Sequence, residues 1–552
     1  MSVPFGFSYQ RVKSSQNFQL GNFQGEYQFD FMSESEEWIS MKNCYISLIV
    51  DVIHCNEGGY SANAYQNVLQ PIVNASSANP KTRITATQIS IPYVNQNPLV
   101  NFFQMISCDI AGENITYQTN VAAVNTLYRT LYESRAEQPT INSTNKLVPM
   151  SLTEADCQPN KPSSMLSDYW ADNNNVAGNA GIMANKANIS LSNRQIWALG
   201  QMYGFNKWNE QQLNGQIPVP LGYCDELLPP NTPVSLKFQT NPQFASDVIN
   251  IAGSTMCALP SGYGKPLQVL PYPNGGTGAM VANTIYVGVR DMIIWIARIR
   301  LPSPVNQAKL LGLKQFSSYL HFIQPGTHDE FTFETKRNRR VSHIAICILQ
   351  PKSQNTKTSQ TVFDAGFICS DASPQIASPV DESATTATNT LVGSPPSNVG
   401  DAYEIPVYAN SPMIALSYLR LEFAGTTYPM TPYVLNFDTT TNNNKQFITS
   451  DILRCYNDFV NASDGFRTQN GILYSYENWL LAPIFLFKTH LVPNADVSSA
   501  LVSVDFSNTN PNITGGNFNN RGKYNMLCVA FYDEQVHLTY DQYAHLTSVQ
   551  TA

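Results

Sequence analysis

The residue types that do chemistry are few in this chain, and they are scattered. Seven histidines occur, at 54, 321, 328, 343, 490, 537 and 545. His54-Cys55 and the pair His321/His328 come nearest to metal-ligand spacing, and neither supplies the four ligands of a zinc site. His343 falls in the middle of an apolar strand-like run, where a hydrogen-bonded structural role is expected. Ser143-Thr144-Asn145-Lys146 satisfies S-x-x-K but lies in a polar stretch without the partner motifs of that chemistry. Gly262-Tyr263-Gly264-Lys265 runs into Pro266 and lacks the earlier glycine and the Ser/Thr of a phosphate-binding loop. The carboxylate pairs Asp225-Glu226 and Asp533-Glu534 could do acid-base work only in a cleft, and solvated strand ends explain them more simply. No catalytic residue, cofactor site or metal site is expected.

One charged feature stands out. Lys336, Arg337, Arg339 and Arg340 form a basic run around Asn338. The corresponding turn nearer the N-terminus, Ser33-Glu34-Ser35-Glu36-Glu37, is acidic. K-R-x-R also fits a nuclear localisation signal or a phosphate contact. Opposite charge on equivalent turns instead suggests pairing between copies of the chain, with Glu34, Glu36 and Glu37 of one copy facing Lys336, Arg337, Arg339 and Arg340 of the next.

These residues must be placed by some scaffold, and composition narrows the choice. Of the 552 residues, 43% are hydrophobic, which excludes wholesale disorder. Only 13% are charged, about half the usual share. Asn, Ser, Thr, 34 Pro, 30 Gly, 28 Tyr and 27 Phe take their place. This palette disfavours long exposed helices and suits strands joined by polar loops. The net charge of -8 argues against a generally basic nucleic-acid surface. No apolar run is long enough for a membrane-spanning helix, and no secretory signal is visible. The ten cysteines form no C-x-x-C pair, and several lie inside apolar runs, so they read as reduced, buried residues.

The same plan occurs twice. Tyr27-Gln28-Phe29-Asp30-Phe31 leads through the acidic turn to the apolar run Trp38 to Val50. Glu330-Phe331-Thr332-Phe333-Glu334 leads through the basic turn to Val341 to Leu349. Both read as strand, turn, longer buried strand. Cys108-Asp109-Ile110-Ala111-Gly112 and Leu421-Glu422-Phe423-Ala424-Gly425 each read as a strand ending in a glycine-dependent turn. Each is followed by the clearest helix of its half: Val121, Val124, Tyr128 and Leu131 share one face, and Ser450 caps a run with Ile452, Tyr456, Phe459 and Val460. Leu228 to Pro242 resembles Leu491 to Pro511. Each half then closes on an apolar strand, Ile285 to Leu301 and Asn525 to Tyr540.

The expected fold is therefore all-β: two tandem eight-stranded antiparallel jelly rolls with short helices and long loop insertions. The expected organisation is an N-terminal segment over 1–19 and a first roll over 20–303 with a long loop at 134–216. A linker over 304–316 follows, then a second roll over 317–545 with a long loop at 352–412, and a tail over 546–552.

Tandem rolls, each with a helix after its Ala-Gly hairpin, resemble the double jelly-roll major capsid proteins of the adenovirus and tectivirus lineage. Glu422-Phe423-Ala424-Gly425-Thr426-Thr427-Tyr428-Pro429 and Cys528-Val529-Ala530-Phe531-Tyr532-Asp533-Glu534 are most similar to virophage and polinton-like virus capsid proteins. The resemblance implies a homotrimeric, pseudo-hexameric capsomer that tiles the icosahedral shell of a double-stranded DNA virus. It implies a virion location, self-association, penton and minor capsid partners, and a possible host receptor at tower loops drawn from 134–216 and 352–412. It implies no sequence-specific nucleic-acid binding. Competing readings are a minor capsid or spike protein, a single jelly-roll viral capsid protein, and a jelly-roll carbohydrate-binding protein or glycosidase.

Overall fold

A computed structural model describes residues 6–55, 72–73, 89–94, 98–132, 209–252, 268–301, 308–359, 416–435, 450–463, 479–489, 499–505 and 524–551, apart from short stretches within these ranges. Sixteen strands carry the architecture. In the first half they are β1 (Gly6–Lys13), β2 (Glu26–Phe31), β3 (Tyr45–Cys55), β4 (Phe103–Ile110), β5 (Glu113–Thr119), β6 (Asn209–Gln216), β7 (Val234–Thr240) and β8 (Thr284–Arg300). In the second they are β9 (Ala308–Ile323), β10 (His328–Glu334), β11 (Val341–Leu349), β12 (Leu416–Phe423), β13 (Thr426–Leu435), β14 (Ile484–Lys488), β15 (Ser499–Asp505) and β16 (Tyr524–Tyr540). The first half forms one sheet in the order β1-β8-β3-β6 and a second in the order β2-β7-β4-β5. The second half repeats this with every index raised by eight: β9-β16-β11-β14 and β10-β15-β12-β13. Pairing the first strand with the last, and the second with the seventh, is the jelly-roll winding. Every main pairing is antiparallel.

The strands form because their apolar residues alternate. In β7, Val234, Leu236 and Phe238 point inward while Ser235, Lys237 and Gln239 point away. In β8 the inward set is Ile285, Val287 and Val289, then Met292, Ile294 and Ile296. The alternation skips one residue at Arg290, where the pairing with β3 shifts register. This bulge keeps the apolar face on the core along 17 residues. It also turns the Arg290 guanidinium onto the buried Asp51, with Nη2 donating to Oδ1 at 2.9 Å and Nε to Oδ2 at 3.1 Å. A carboxylate at 0% exposure needs such a partner, because an unpaired buried charge is costly.

The four matched segments of the two halves fall at equivalent positions in the two rolls. The helices are α1 (Val121–Tyr132) and α2 (Ser450–Ser463), each following the fifth strand of its roll. Val121, Val124, Tyr128 and Leu131 are all buried, as their spacing predicts. Helix α2 takes in Ser450 itself, one position past its expected cap. Both Ala-Gly pairs make two-residue hairpins with positive φ at each position: 52° and 86° at Ala111-Gly112, 54° and 72° at Ala424-Gly425. This is the turn whose twist matches the flanking strands.

Four boundaries differ from those expected. Gly6–Lys13, placed in a separate N-terminal segment, is the opening strand and pairs with Ile293–Arg300. Ala308 to Phe316, placed in a linker, begins β9 and pairs with β16. Asn209–Gln216, placed at the end of a loop, is the edge strand β6 and pairs with β3 over its whole length. Leu546–Thr551, placed in a tail, pairs with β16. In each case backbone pairing with a long neighbour decides the conformation of a segment whose own pattern is weak. Of the expected loop at 352–412, a hairpin of Pro351–Ser353 with Thr356–Ser359 is described. The remainder of both expected loops lies outside the described residues.

A Cβ added at Gly425 would meet nothing within 4 Å, so the glycine answers to backbone angle alone. Gly425→Ala is expected to lower stability by about 1–2 kcal/mol, and Gly425→Asn by less, because Asn tolerates left-handed angles. Urea unfolding of the two variants checks this.

Candidate functional site

No group of three metal-ligating side chains occurs among the described residues. His321 Nε2 lies 2.9 Å from Asp329 Oδ2, and its ring stacks on Phe331 at 3.9 Å. His328 lies 3.7 Å from Glu330 Oε1. Asp225 pairs with Lys42, Glu226 accepts from the Cys224 thiol at 2.7 Å, and Asp533 faces Lys314 at 3.6 Å. Ser143 to Lys146 and Gly262 to Lys265 lie outside the described residues. Six cysteines, at 44, 108, 224, 347, 455 and 528, are buried and free. Burial pushes the Cys44 thiol up to about 12. Burial, then the hydrogen bond to Glu226, does the same at Cys224. Neither is a ready nucleophile at neutral pH.

The two charged turns are each engaged inside their own roll. The acidic turn is closed by the Glu37 amide donating to the Glu34 carbonyl at 3.1 Å, with Glu36 at φ 74°. Glu37 is buried and paired with β8: Arg298 Nη1 lies 2.6 Å from Oε2 and Arg300 Nε 3.3 Å from Oε1. Glu34 approaches Arg298 only to 3.9 Å and, like Glu36, is exposed. In the second roll the signs are exchanged. Glu534 on β16 is buried, and Lys336 Nζ and Arg339 Nε each lie 3.4 Å from its Oε1. Arg337 and Arg340 lie outside the described residues. The sequence shows both turns but not their partners, which stand on closing strands about 200–260 residues away.

The most built surface is the joint between the rolls. Gln315 on β9 donates from Nε2 to the Ile115 carbonyl at 2.7 Å and accepts from Thr116 Oγ1 at 3.5 Å. Asn120 and Thr119 meet Ser318 at 3.3 and 3.4 Å. The Tyr128 ring lies between Tyr223 at 4.6 Å and Phe316 and Phe531 at 5.9 and 6.5 Å. Thr232 Oγ1 and the Tyr540 hydroxyl are 2.8 Å apart. Leu311, Leu313, Val536, Leu538 and Tyr540 of the second roll belong to the core cluster of the first. The joint thus sets the fifth strand and helix of one roll against the outer face of the opening and closing strands of the other.

Each half of this joint exists a second time without its mate. Strands β3 and β11 begin opposite Trp295 and Tyr532, whose partners on the opening strands are Arg11 and Gln315. Stepping back two residues at a time matches Tyr9 with Leu313 and Phe7 with Leu311. Leu311 and Leu313 are 0% and 3% exposed, whereas Phe7 and Tyr9 are 50% and 45% exposed. The face around them continues through Tyr45 and Trp295, stacked at 6.0 Å. The indole N–H groups of Trp38 and Trp295 have no acceptor among the described residues. On the other side, the hairpin pairings match Thr116 with Tyr428 and Gln118 with Met430. Gln118 is 2% exposed and Met430 94%. Leu453 on α2 is exposed as well.

His343 is buried on β11, as its place in an apolar strand suggests. Burial, then Lys314 and Lys488, pushes its pKa down to about 4, while Asp533 and a backbone hydrogen bond with Ala462 work the other way. Its folded value lies below the unfolded value of about 6.5. The unfolded chain therefore takes up the proton first, and stability present above pH 6.5 is lost as pH falls toward 4. The loss amounts to about 3 kcal/mol, and His343→Phe is expected to flatten the urea midpoint over this range. Glu37→Gln strips the partner from the largely buried Arg298 and is expected to cost about 3 kcal/mol. Adding Arg298→Met should recover most of that loss, as read from the same unfolding curves.

No family model matches the chain, and no curated protein matches it. Among solved structures it is similar to the Sputnik virophage structure from cryo-electron microscopy, at 11% identity, covering 99% of this chain and 88% of that chain, with a TM-score of 0.49. It is similar to the mavirus major capsid protein at 8% identity, 99% and 90% coverage and a TM-score of 0.41. It is similar to the Faustovirus major capsid protein at 9% identity, 97% and 91% coverage and a TM-score of 0.40. With all three scores below 0.5, the fold is read from the chain's own strand order, and by that order the chain is a double jelly roll.

Proposed function

We propose that the chain is a major capsid protein whose copies associate head to tail into a ring of three chains and six rolls. One observation carries this reading: the joint inside the chain has both of its halves repeated, exposed and unmated. The Met430 and Leu453 side of the second roll would meet the Phe7 and Tyr9 face of the first roll in the next copy. Two different surfaces meeting in this way make a heterologous contact, which closes into a ring when the rotation allows. Six similar rolls give near-sixfold symmetry, and hexagonal units tile a surface without gaps. Burying each half-exposed aromatic ring at the contact contributes roughly 1–2 kcal/mol.

The role is structural rather than enzymatic, and the sparse catalytic inventory of the sequence supports it. The sequence resemblance supports an icosahedral shell around double-stranded DNA, a place in the virion, and penton and minor capsid proteins as neighbours. Among the described residues no helix is long and apolar enough to cross a membrane. Glu37 is occupied within its roll, which leaves the exposed Glu34 and Glu36 as the acidic side of charge pairing between copies. The basic side is the run containing Lys336, Arg337, Arg339 and Arg340.

Light scattering on the purified chain should give the mass of three copies, and negative-stain images a pseudo-hexagonal outline. Tyr9→Asp and Met430→Asp, each on an exposed face, should each leave a folded monomer with unchanged circular dichroism. A wild-type monomer that forms no higher assembly would overturn the reading. Reversing Glu34 and Glu36 to Lys should weaken the trimer, and reversing the basic run should restore it; an unchanged trimer after the first change removes the charge-pairing part.

A further inference from the structure

The first roll holds a cavity of about 570 Å3 at one end of the barrel. Four separate segments line it: the β1–β2 connection with Phe23 and Gln24, the start of β4 with Gln104, the end of β7 with Gln239 and Thr240, and residues 271–274 with Tyr272 and Asn274. The volume falls in the range of small-molecule sites. We propose that this cavity binds a neutral sugar ring.

The lining chemistry points there. No Asp, Glu, Lys, Arg or His lines the cavity. A sialic acid, sulfate or phosphate group would enter without a counter-charge, and burying an unpaired charge is costly. The lining is not simply apolar either. The side-chain amides of Gln24, Gln104, Gln239 and Asn274 have no hydrogen-bond partner among the described residues. A hydrocarbon ligand covering them would leave those groups unsatisfied. Each amide both donates and accepts, which is the requirement of a sugar hydroxyl. Phe23, Phe244 and Tyr272 supply the apolar part of the wall, against which C–H faces of a pyranose pack.

A peptide strand is the natural competitor, and the backbone argues against it. Thr240 N–H is taken by the Gly25 carbonyl at 3.0 Å, Asn241 N–H by Phe102 at 2.9 Å, and Tyr272 N–H by Val287 at 2.8 Å. The backbone donors that an added strand would use there are consumed, and side-chain amides remain. The chain also holds the walls close: a Cβ at Gly21, where φ is 88°, would come within 2.8 Å of the Pro273 carbonyl oxygen.

The cavity opens at the end where the three longest connections of the first roll leave, between β3 and β4, β5 and β6, and β7 and β8. In the capsomer reading that end carries the expected tower and faces outward. The outward placement rests on that reading; the binding does not.

Saturation-transfer NMR on the full-length chain tests the site. The probes are methyl glycosides of glucose, galactose, mannose, fucose, N-acetylglucosamine and N-acetylgalactosamine, with glucuronate, sialic acid and a proline-containing tetrapeptide alongside. At least one neutral glycoside should give saturation transfer, and the Gln104→Ala/Gln239→Ala double variant should weaken it about tenfold or more. Near-UV circular dichroism and native mass confirm that the variant keeps its fold and assembly. Silence from every neutral glycoside, transfer undiminished in the variant, or equal or stronger binding of the acidic sugars or the peptide would each overturn the proposal. Sugar binding by a chain that stays monomeric would uphold the cavity while removing the capsomer, so the two readings fail separately.

Discussion

Each roll depends on one long closing strand held between the opening strand and the third. Strand β8 pairs with β1 along one edge and β3 along the other, and β16 does the same with β9 and β11. The last strand of a unit must therefore return to the first, so neither sheet is complete until the whole unit has been made. The inward face of β8 also supplies the centre of the core, from Ile285 to Ile296. The bulge at Arg290 lets 17 residues follow a twisted sheet without turning apolar side chains to solvent. The acidic turn and the inter-roll joint are both anchored to these closing strands.

Duplication gives the molecule its functional logic. Two rolls with one topology present the same set of surfaces, and within one chain only one copy of each surface can be used. The second roll spends its opening-strand face on Ile115, Thr116 and Tyr128, and the first roll leaves the matching face bare at Phe7 and Tyr9. This asymmetry of exposure, rather than any motif, directs attention to assembly. A monomer seldom leaves a side chain as apolar as Met430 almost wholly in water beside a second exposed apolar residue without a partner in view.

Much of this was legible in the residues. The Ala-Gly turns declare themselves because positive φ at successive positions demands glycine or its nearest substitutes. Helix α1 declares itself because its buried residues recur every three or four positions. Strand β6, reading Asn-Glu-Gln-Gln-Leu-Asn-Gly-Gln, could not be seen, since only Leu213 among them is a buried apolar side chain. Its conformation comes from the free edge of β3. The start of β9 was hidden by Pro302, Pro304 and Gly312, which punctuate like a linker. Gly312 instead lies in the strand where the first roll comes close, with Glu226 Oε1 3.6 Å from where a Cβ would be. The opposite signs of the two turns were plain in the sequence; that each is answered within its own roll was not, because Arg298 and Glu534 belong to strands that fold back from far along the chain.

The exchanged signs bear on how such a chain avoids misfolding. Tandem units of one topology are prone to trade strands, and a closing strand offered two similar slots is the obvious piece to go astray. Were β16 to enter the slot of β8, Glu534 would lie beside Glu37; in the reverse error, Arg298 would meet Lys336 and Arg339. Both mistakes bring like charges together in a largely buried place, where repulsion is hardest to relieve. The turns thus act as a lock and key for strand parentage, keeping each roll's last strand with the roll that encoded it.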